Sequence, residues 1–126
     1  MKVAVPVLRN RVSPAFDWCR HLTLIDVGAD GTPAAREQVS ITEVQPYRRP
    51  DRLTELGVDV LLCGGISPPL AQLVESHGVR VVPGVAGEVD TVVTEFLAGR
   101  LPDPRFMMPG RRCRGGGRRR RRGRPW

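Results

Sequence analysis

The sequence predicts an α/β fold in which helices flank a mixed sheet of about five strands. Two short apolar runs, at 2–8 and 58–63, are typical of strands buried on both faces. From residue 50 onward, helical and strand patterns alternate, which implies parallel strands joined by right-handed crossovers. Residues 21–41 instead carry the pattern of an antiparallel hairpin, so the sheet should be mixed.

The first half of the chain supplies three of these strands. The run KVAVPVL at 2–8 is apolar after Lys2, but Pro6 has no N–H to donate, so pairing along one side should stop or bulge there. HLTLIDV at 21–27 alternates as a second strand. Turn residues at 28–33 separate it from a weaker run at 36–41, and together these predict a hairpin with a long loop.

The second half supplies the helices and the remaining strands. DRLTELG at 51–57 predicts a short helix that ends at a glycine and leads into the strand at 58–63. Ser67 as N-cap and Pro68 in the first helical position predict a second helix, which Gly78 ends. The last predicted strand and helix are 79–84 and 88–99.

Charge divides the chain into a domain at 1–102 and an Arg/Gly-rich tail at 103–126 that should be disordered. The net charge is +7, yet residues 111–126 hold nine arginines and no acid, whereas residues 1–110 have eleven Lys and Arg against thirteen Asp and Glu. Two hypotheses for the tail stay open: a solvated extension, or weak, salt-sensitive nucleic-acid binding through residues 111–126.

The cysteines indicate the compartment. Cys19, Cys63 and Cys113 are odd in number and show no disulfide-framework spacing. No cleavable leader and no apolar run of membrane-spanning length is visible. We therefore expect a cytoplasmic protein with reduced thiols and no membrane contact.

Ligands of such sheets bind outside the carboxyl ends of parallel strands, which locates a candidate cleft. We expect the glycines before two of the helices to leave backbone N–H groups free to bind an anion, although glycine at such positions is also common where the chain simply turns. A regulatory domain that binds a small anionic metabolite is one hypothesis. The loops concerned are 8–14, 63–68 and 84–88.

Thiols and one imidazole are the candidate metal ligands. Cys63, at a strand end, is either a soft-metal ligand or a small buried packing residue. Cys19 and His21 are two residues apart and would share one side of a strand. The sequence has no P-loop, no GxSxG and no paired CxxC, and its acids do not converge, so we expect no enzyme.

Three segments together resemble the dinitrogenase iron–molybdenum cofactor biosynthesis family of small nitrogenase accessory domains. They are MKVAVPVLRNRVSPAFDWCRHLTLIDV, LGVDVLLCGGISPPLAQLVESHGVRVVPGVAGEVDTVVTEFLAGRL and FMMPG, in order over about residues 1–110. The resemblance implies a ribonuclease-H-like three-layer fold. It also implies a non-catalytic role, in which the chain holds an iron–sulfur-based cluster, the iron–molybdenum cofactor or its precursor, between assembly and acceptor proteins.

The resemblance further implies a site between the CGGI turn at 63–66 and the loop at 11–16. Many relatives carry His-Phe-Gly where this chain has Ala15-Phe16-Asp17, so the usual histidine is missing. Cys63, Cys19 and His21 would then replace it as metal ligands, and arginines 9, 11 and 20 could pair with an anionic cluster. The expected cluster contacts are Arg11, Ser13, Phe16, Gly64, Gly65 and Ser67.

Overall fold

The computed structural model describes residues 1–101, so the predicted tail and the nucleic-acid hypothesis lie outside the described residues. Within residues 1–101, no helix has the length and apolar character that crossing a membrane requires. The strands are β1 (Lys2–Leu8), β2 (Arg11–Val12), β3 (His21–Val27), β4 (Pro33–Ser40), β5 (Val60–Leu62) and β6 (Arg80–Val82). The helices are α1 (Arg49–Glu55), α2 (Pro68–Ser76) and α3 (Val89–Leu97), with 3₁₀ turns at Phe16–Trp18 and Pro46–Arg48.

The sheet is mixed, as predicted. Its strand order is β4-β3-β1-β5-β6, and β2 pairs with β1 off this path. The β1, β3 and β4 strands pair antiparallel, whereas β1, β5 and β6 are parallel. The sequence does not predict β2, because two residues are too short for any periodicity to show. The finer ribonuclease-H-like assignment stays a prediction.

Pro6 marks the point where β1 changes partners. On one side, β1 pairs with β3 continuously from Lys2 to Val7. On the other, parallel pairing with β5 is limited to Val3 and Ala4, and beyond Pro6 the β2 strand takes over. The interruption expected from the missing proline N–H is therefore confirmed, while β1 itself continues to Leu8 and the chain turns at Arg9 and Asn10.

Two hydrophobic cores lie on the two faces of the sheet. The α1–α2 core includes Leu53 of α1 and Leu70 of α2. The α3 core includes Val89, Val92 and Val93 of α3. Alternate residues of β1 enter the two cores, so this strand is covered on both faces, as its apolar sequence after Lys2 predicts. Each fully buried leucine or valine contributes about 1.5–3 kcal/mol of hydrophobic stabilisation.

His77, just after α2, ties α2 to α1 and should make stability depend on pH. Its Nδ1 lies 2.8 Å from the Leu73 carbonyl oxygen and its Nε2 lies 2.9 Å from Asp51 Oδ1. The Leu73 carbonyl, followed by the Asp51 carboxylate, raises the pKa of His77 above its ordinary value of 6.5. A raised folded-state pKa means that the stabilisation is complete below about pH 6.5 and is lost as pH rises through the folded pKa.

We therefore expect His77→Gln to lower the urea midpoint more at pH 5.5 than at pH 8.5. Urea unfolding at both pH values, followed by circular dichroism, measures this difference. If the urea midpoints of wild type and variant differed by the same amount at both pH values, His77 would make no pH-dependent contribution to stability.

Candidate functional site

The structure brings the three predicted loops together and links them by backbone hydrogen bonds. The N–H of Val12 donates to the Gly87 carbonyl over 2.9 Å, and the N–H of Val89 donates to the Asn10 carbonyl over 2.9 Å. The loop after β5 joins them, since the Phe16 N–H donates to the Gly65 carbonyl over 2.8 Å. The predicted cleft is therefore a closely packed surface.

Gly64 and Gly65 are required by the close approach of the loop at 13–14. A Cβ at Gly64 would lie 2.6 Å from the Ser13 carbonyl oxygen and 3.0 Å from that of Pro14. A Cβ at Gly65 would lie 2.9 Å from the Pro14 oxygen. Both glycines thus allow two backbone segments to pack against each other.

The prediction that the amides of these loops are bare is wrong at three positions. Gly65 N–H donates to the Pro14 carbonyl over 2.6 Å, and Gly84 N–H donates to the Gly64 carbonyl over 2.8 Å. Ser67 N–H donates to Asp17 Oδ1 over 3.0 Å. These three N–H groups already donate to acceptors within the chain. They are therefore not available to bind an anionic metabolite at the glycine loops.

Asp17 supplies the negative charge at the start of α2. Ser67 lies at the predicted N-cap with extended backbone, and Pro68 follows in the first helical position, but the Ser67 side chain makes no capping hydrogen bond. Its Oγ is buried and has no hydrogen-bond partner among the described residues. Asp17, fifty residues away in sequence, therefore stabilises the helix start by its bond to the Ser67 N–H.

The other predicted contacts on the loop at 11–16 differ in accessibility. Phe16 is completely buried in the α1–α2 core, and Ser13 is buried as well. Arg11 is exposed on β2, where its backbone bridges to Glu88. Of these three side chains, only that of Arg11 is exposed to an incoming ligand.

Cys63 lies in the α1–α2 core rather than on the cleft surface. It is completely buried, alongside Leu61 and Phe16. Its backbone is also engaged, because its N–H donates to the Val82 carbonyl over 3.0 Å and its carbonyl accepts from the Val85 N–H over 2.9 Å. The expectation that Cys63 points into the cleft is corrected accordingly.

Cys19 is also buried, at 4 % exposure, but it lines an open groove. Arg49 Nη1 donates to Cys19 Sγ over 3.3 Å. Burial raises the pKa of the Cys19 thiol to about 11, although the charge of Arg49 lowers it in part. The thiol is therefore protonated at neutral pH.

His21 does not accompany Cys19. It lies opposite Val7 in the sheet, and Val7 belongs to the α3 core, whereas Cys19 belongs to the α1–α2 core. Within residues 1–101, no three His, Cys, Asp or Glu side chains are grouped closely enough to hold a metal ion. The predicted set of Cys63, Cys19 and His21 is not assembled as a ligand cluster in this part of the chain.

Arg49 is the residue that sequence analysis misses. It is 5 % exposed, and its guanidinium donates to three backbone carbonyls as well as to Cys19. These carbonyls belong to Phe16 (2.7 Å), Val44 (3.0 Å) and Ile41 (3.4 Å). The guanidinium also lies 5.9 Å from the centre of the Phe16 ring. Arg49 thus holds the segment at 16–19 and the segment at 41–44 against α1.

These segments enclose the Cys19 groove, a cleft of ≈ 570 Å³ lined by residues 18–20, 42–46 and Arg49. Trp18, at its edge, is 76 % exposed. The groove combines a soft sulfur atom, a buried positive charge and an exposed aromatic ring. Fold and groove together define a small α/β domain with an open cleft beside Cys19.

The chain belongs to the dinitrogenase iron-molybdenum cofactor family, whose model matches residues 1–99. Among solved structures, PH0822 is 25 % identical with a TM-score of 0.75, over 79 % of this chain and 91 % of that one. The apo form of the orange protein from Desulfovibrio gigas is 24 % identical with a TM-score of 0.68, over 80 % and 90 %. An uncharacterised protein of Methanocaldococcus jannaschii is 23 % identical over an alignment of 106 positions, and the match covers 80 % of this chain and 89 % of that protein.

Proposed function

We propose that this chain is a non-catalytic, cytoplasmic carrier of an iron–sulfur-based metal cluster, of the iron–molybdenum cofactor type or a precursor of it. The cargo would lie in the Cys19 groove and pass between assembly and acceptor proteins. Family membership supports the class of cargo. The observation that carries the proposal is the Cys19 thiol, held by Arg49 at the wall of an open groove.

The chemistry of the groove suits such a cargo. Thiolate sulfur is the usual protein ligand of iron–sulfur clusters. On loading, Cys19 would give up its proton and bind a cluster iron through sulfur, and Arg49, 3.3 Å away, would become the counter-ion of the thiolate. The groove opens on Trp18, so the cargo could enter and leave without unfolding the domain.

The proposed site over Cys19 needs none of the remaining predicted contacts. A role for Cys63 requires the segment at 63–67 to move, because the side chain is completely buried. His21 would need to reach around the end of β3 from the α3 side of the sheet. Arg11 could approach an anionic cargo from the exposed face of β2.

Anaerobic reconstitution with ferric iron, sulfide and a thiol reductant tests the carrier function. We expect the wild-type chain to acquire the visible absorption of an iron–sulfur cluster and Cys19→Ser to lose most of it. Cys63→Ser is the matched control, because it removes the other buried thiol of the same core and should retain the chromophore. A wild-type chain that acquires no chromophore refutes the proposal.

The raised pKa of Cys19 makes loading depend on pH. Because the thiol must lose its proton and its pKa is about 11, the apparent affinity should rise about tenfold per pH unit between pH 7 and pH 9. Titration of the chain with cluster precursor at pH 7, 8 and 9 measures this slope. An apparent affinity that does not change between pH 7 and pH 9 would show that loading does not require Cys19 to lose its proton.

A further inference from the structure

We propose that residues 102–110, with the sequence PDPRFMMPG, fold back onto the domain and cover an apolar groove beside the end of α3, with Phe106 as the anchor. They follow directly on the described residues, which end at Leu101. The proposal concerns a different surface from the Cys19 groove and does not depend on the proposed function.

The α3-end groove lies between the end of α3 and the turn after β3. Its volume is ≈ 480 Å³, within the range of clefts that bury most of a small ligand. Met1 is 52 % exposed, and Phe96 and Leu97 are only partly buried although they pack against the α3 core. A contiguous apolar surface is thus incompletely covered, and covering it would be stabilising. The larger apolar side chains that line the groove are those of Met1, Val27, Phe96, Leu97 and Leu101.

The chain itself supplies a matching segment. Leu101 lines the α3-end groove, so the chain leaves the described residues at the groove. Phe106, Met107 and Met108 begin five residues later and are the only cluster of large apolar side chains within 102–126. Methionine adapts to irregular apolar surfaces, and its sulfur packs favourably against aromatic rings such as that of Phe96.

Charge complements this apolar fit. Arg80 is the one charged side chain among the described residues that line the groove. It is exposed and lies 5.7 Å from the centre of the Phe96 ring. Asp103 is the first charged residue after Leu101, so the proposed segment supplies the opposite charge.

The connection between groove and anchor has a suitable length. Pro102 and Pro104 disfavour helical backbone in the residues before them, so the sequence favours an extended course. Residues 102–105, extended at about 3.1 Å each, span about 12 Å, which is close to the diameter of a helix. Phe106 can therefore reach across the groove from Leu101. So short a tether gives an effective concentration on the order of millimolar, which favours this segment over a second copy of the chain.

Docking would also direct the arginine-rich residues 111–126 away from the proposed cargo site. The α3-end groove includes Val27, the last residue of β3, whereas Cys19 lies just before His21, the first residue of that strand. The two ends of this strand are about 20 Å apart. The arginine-rich residues would therefore begin at the end of the sheet remote from the Cys19 groove.

Nuclear Overhauser effects in the isotope-labelled full chain test the proposal. We expect contacts between the ring protons of Phe106 and the methyl groups of Val27 and Leu97. The absence of these contacts would overturn the proposal. Contacts that arise only between chains, in a sample mixed from labelled and unlabelled protein, would also overturn it and would assign the groove to a second copy.

Two exposed alanines provide matched variants for the same spectra. Ala29→Glu adds a charged side chain at the groove and should move the chemical shifts of residues 106–108 to those of a synthetic peptide of residues 102–110. Ala34→Glu, in β4 and not among the described lining residues, should leave these shifts unchanged. Shifts that respond equally to both variants, or to neither, would contradict docking in this groove.

Thermal unfolding of the full chain gives a second measurement. Phe106→Ser should lower Tm by about 4 °C, because the apolar groove would lose its cover. Trp126→Ser removes the other aromatic side chain of 102–126 and should leave Tm unchanged. Equal Tm values for the two variants would show that Phe106 is not the anchor.

Discussion

Gly64→Ala is expected to lower the free energy of unfolding by about 2–4 kcal/mol. The added methyl carbon would lie 2.6 Å from the Ser13 carbonyl oxygen and 3.1 Å from Pro14 Cα, and both neighbours are backbone atoms that cannot swing aside. The packed loops would have to separate to admit it. Urea unfolding followed by circular dichroism measures the loss.

Gly28→Ala provides the control for this substitution. Its Cβ would lie 3.1 Å from Asp30 Oδ1 and at an ordinary contact distance of 3.8 Å from the Thr32 carbonyl oxygen, and the Asp30 side chain is exposed and can shift. The cost there should stay within about 1 kcal/mol. Equal stability of Gly64→Ala and the wild type would show that the loops are not packed as described.

Arg49→Met should cost about 2–4 kcal/mol, although methionine has a similar length. The substitution leaves three backbone carbonyls, those of Phe16, Ile41 and Val44, without their donor. The walls of the Cys19 groove would also lose their common anchor. Thermal and urea unfolding both report the effect.

Arg48→Met is the matched control, because the neighbouring side chain is exposed and should change stability by no more than about 0.5 kcal/mol. If Arg49→Met were as stable as Arg48→Met, the guanidinium would not be holding the two segments together.

Most of the fold is predictable because its signals are local. Apolar runs, the hairpin turn and the glycines at helix ends lie within a few residues of the elements that they define. Gly78, for example, has a φ of +84° just after α2, as expected of a helix-ending glycine. The β2 strand escapes prediction because it exists only through its pairing with β1.

The candidate site is less predictable because tertiary contacts determine it. Cys63 lies on the same face of the sheet as Leu61. Because β5 is buried on both faces, its sequence does not show which of the two cores the Cys63 side chain enters. The bond of Asp17 to Ser67 spans fifty residues. Arg49 stands in an arginine- and proline-rich stretch that gives no sign of burial.

The central claim, that the cargo lies over Cys19, is tested most directly by anomalous diffraction at the iron edge from crystals of the cluster-loaded chain. The account predicts anomalous density in the groove between Trp18 and Arg49, with one iron bonded to Cys19 Sγ. Density at the loops around Cys63 and Gly64 instead, with the Cys19 groove empty, would contradict it.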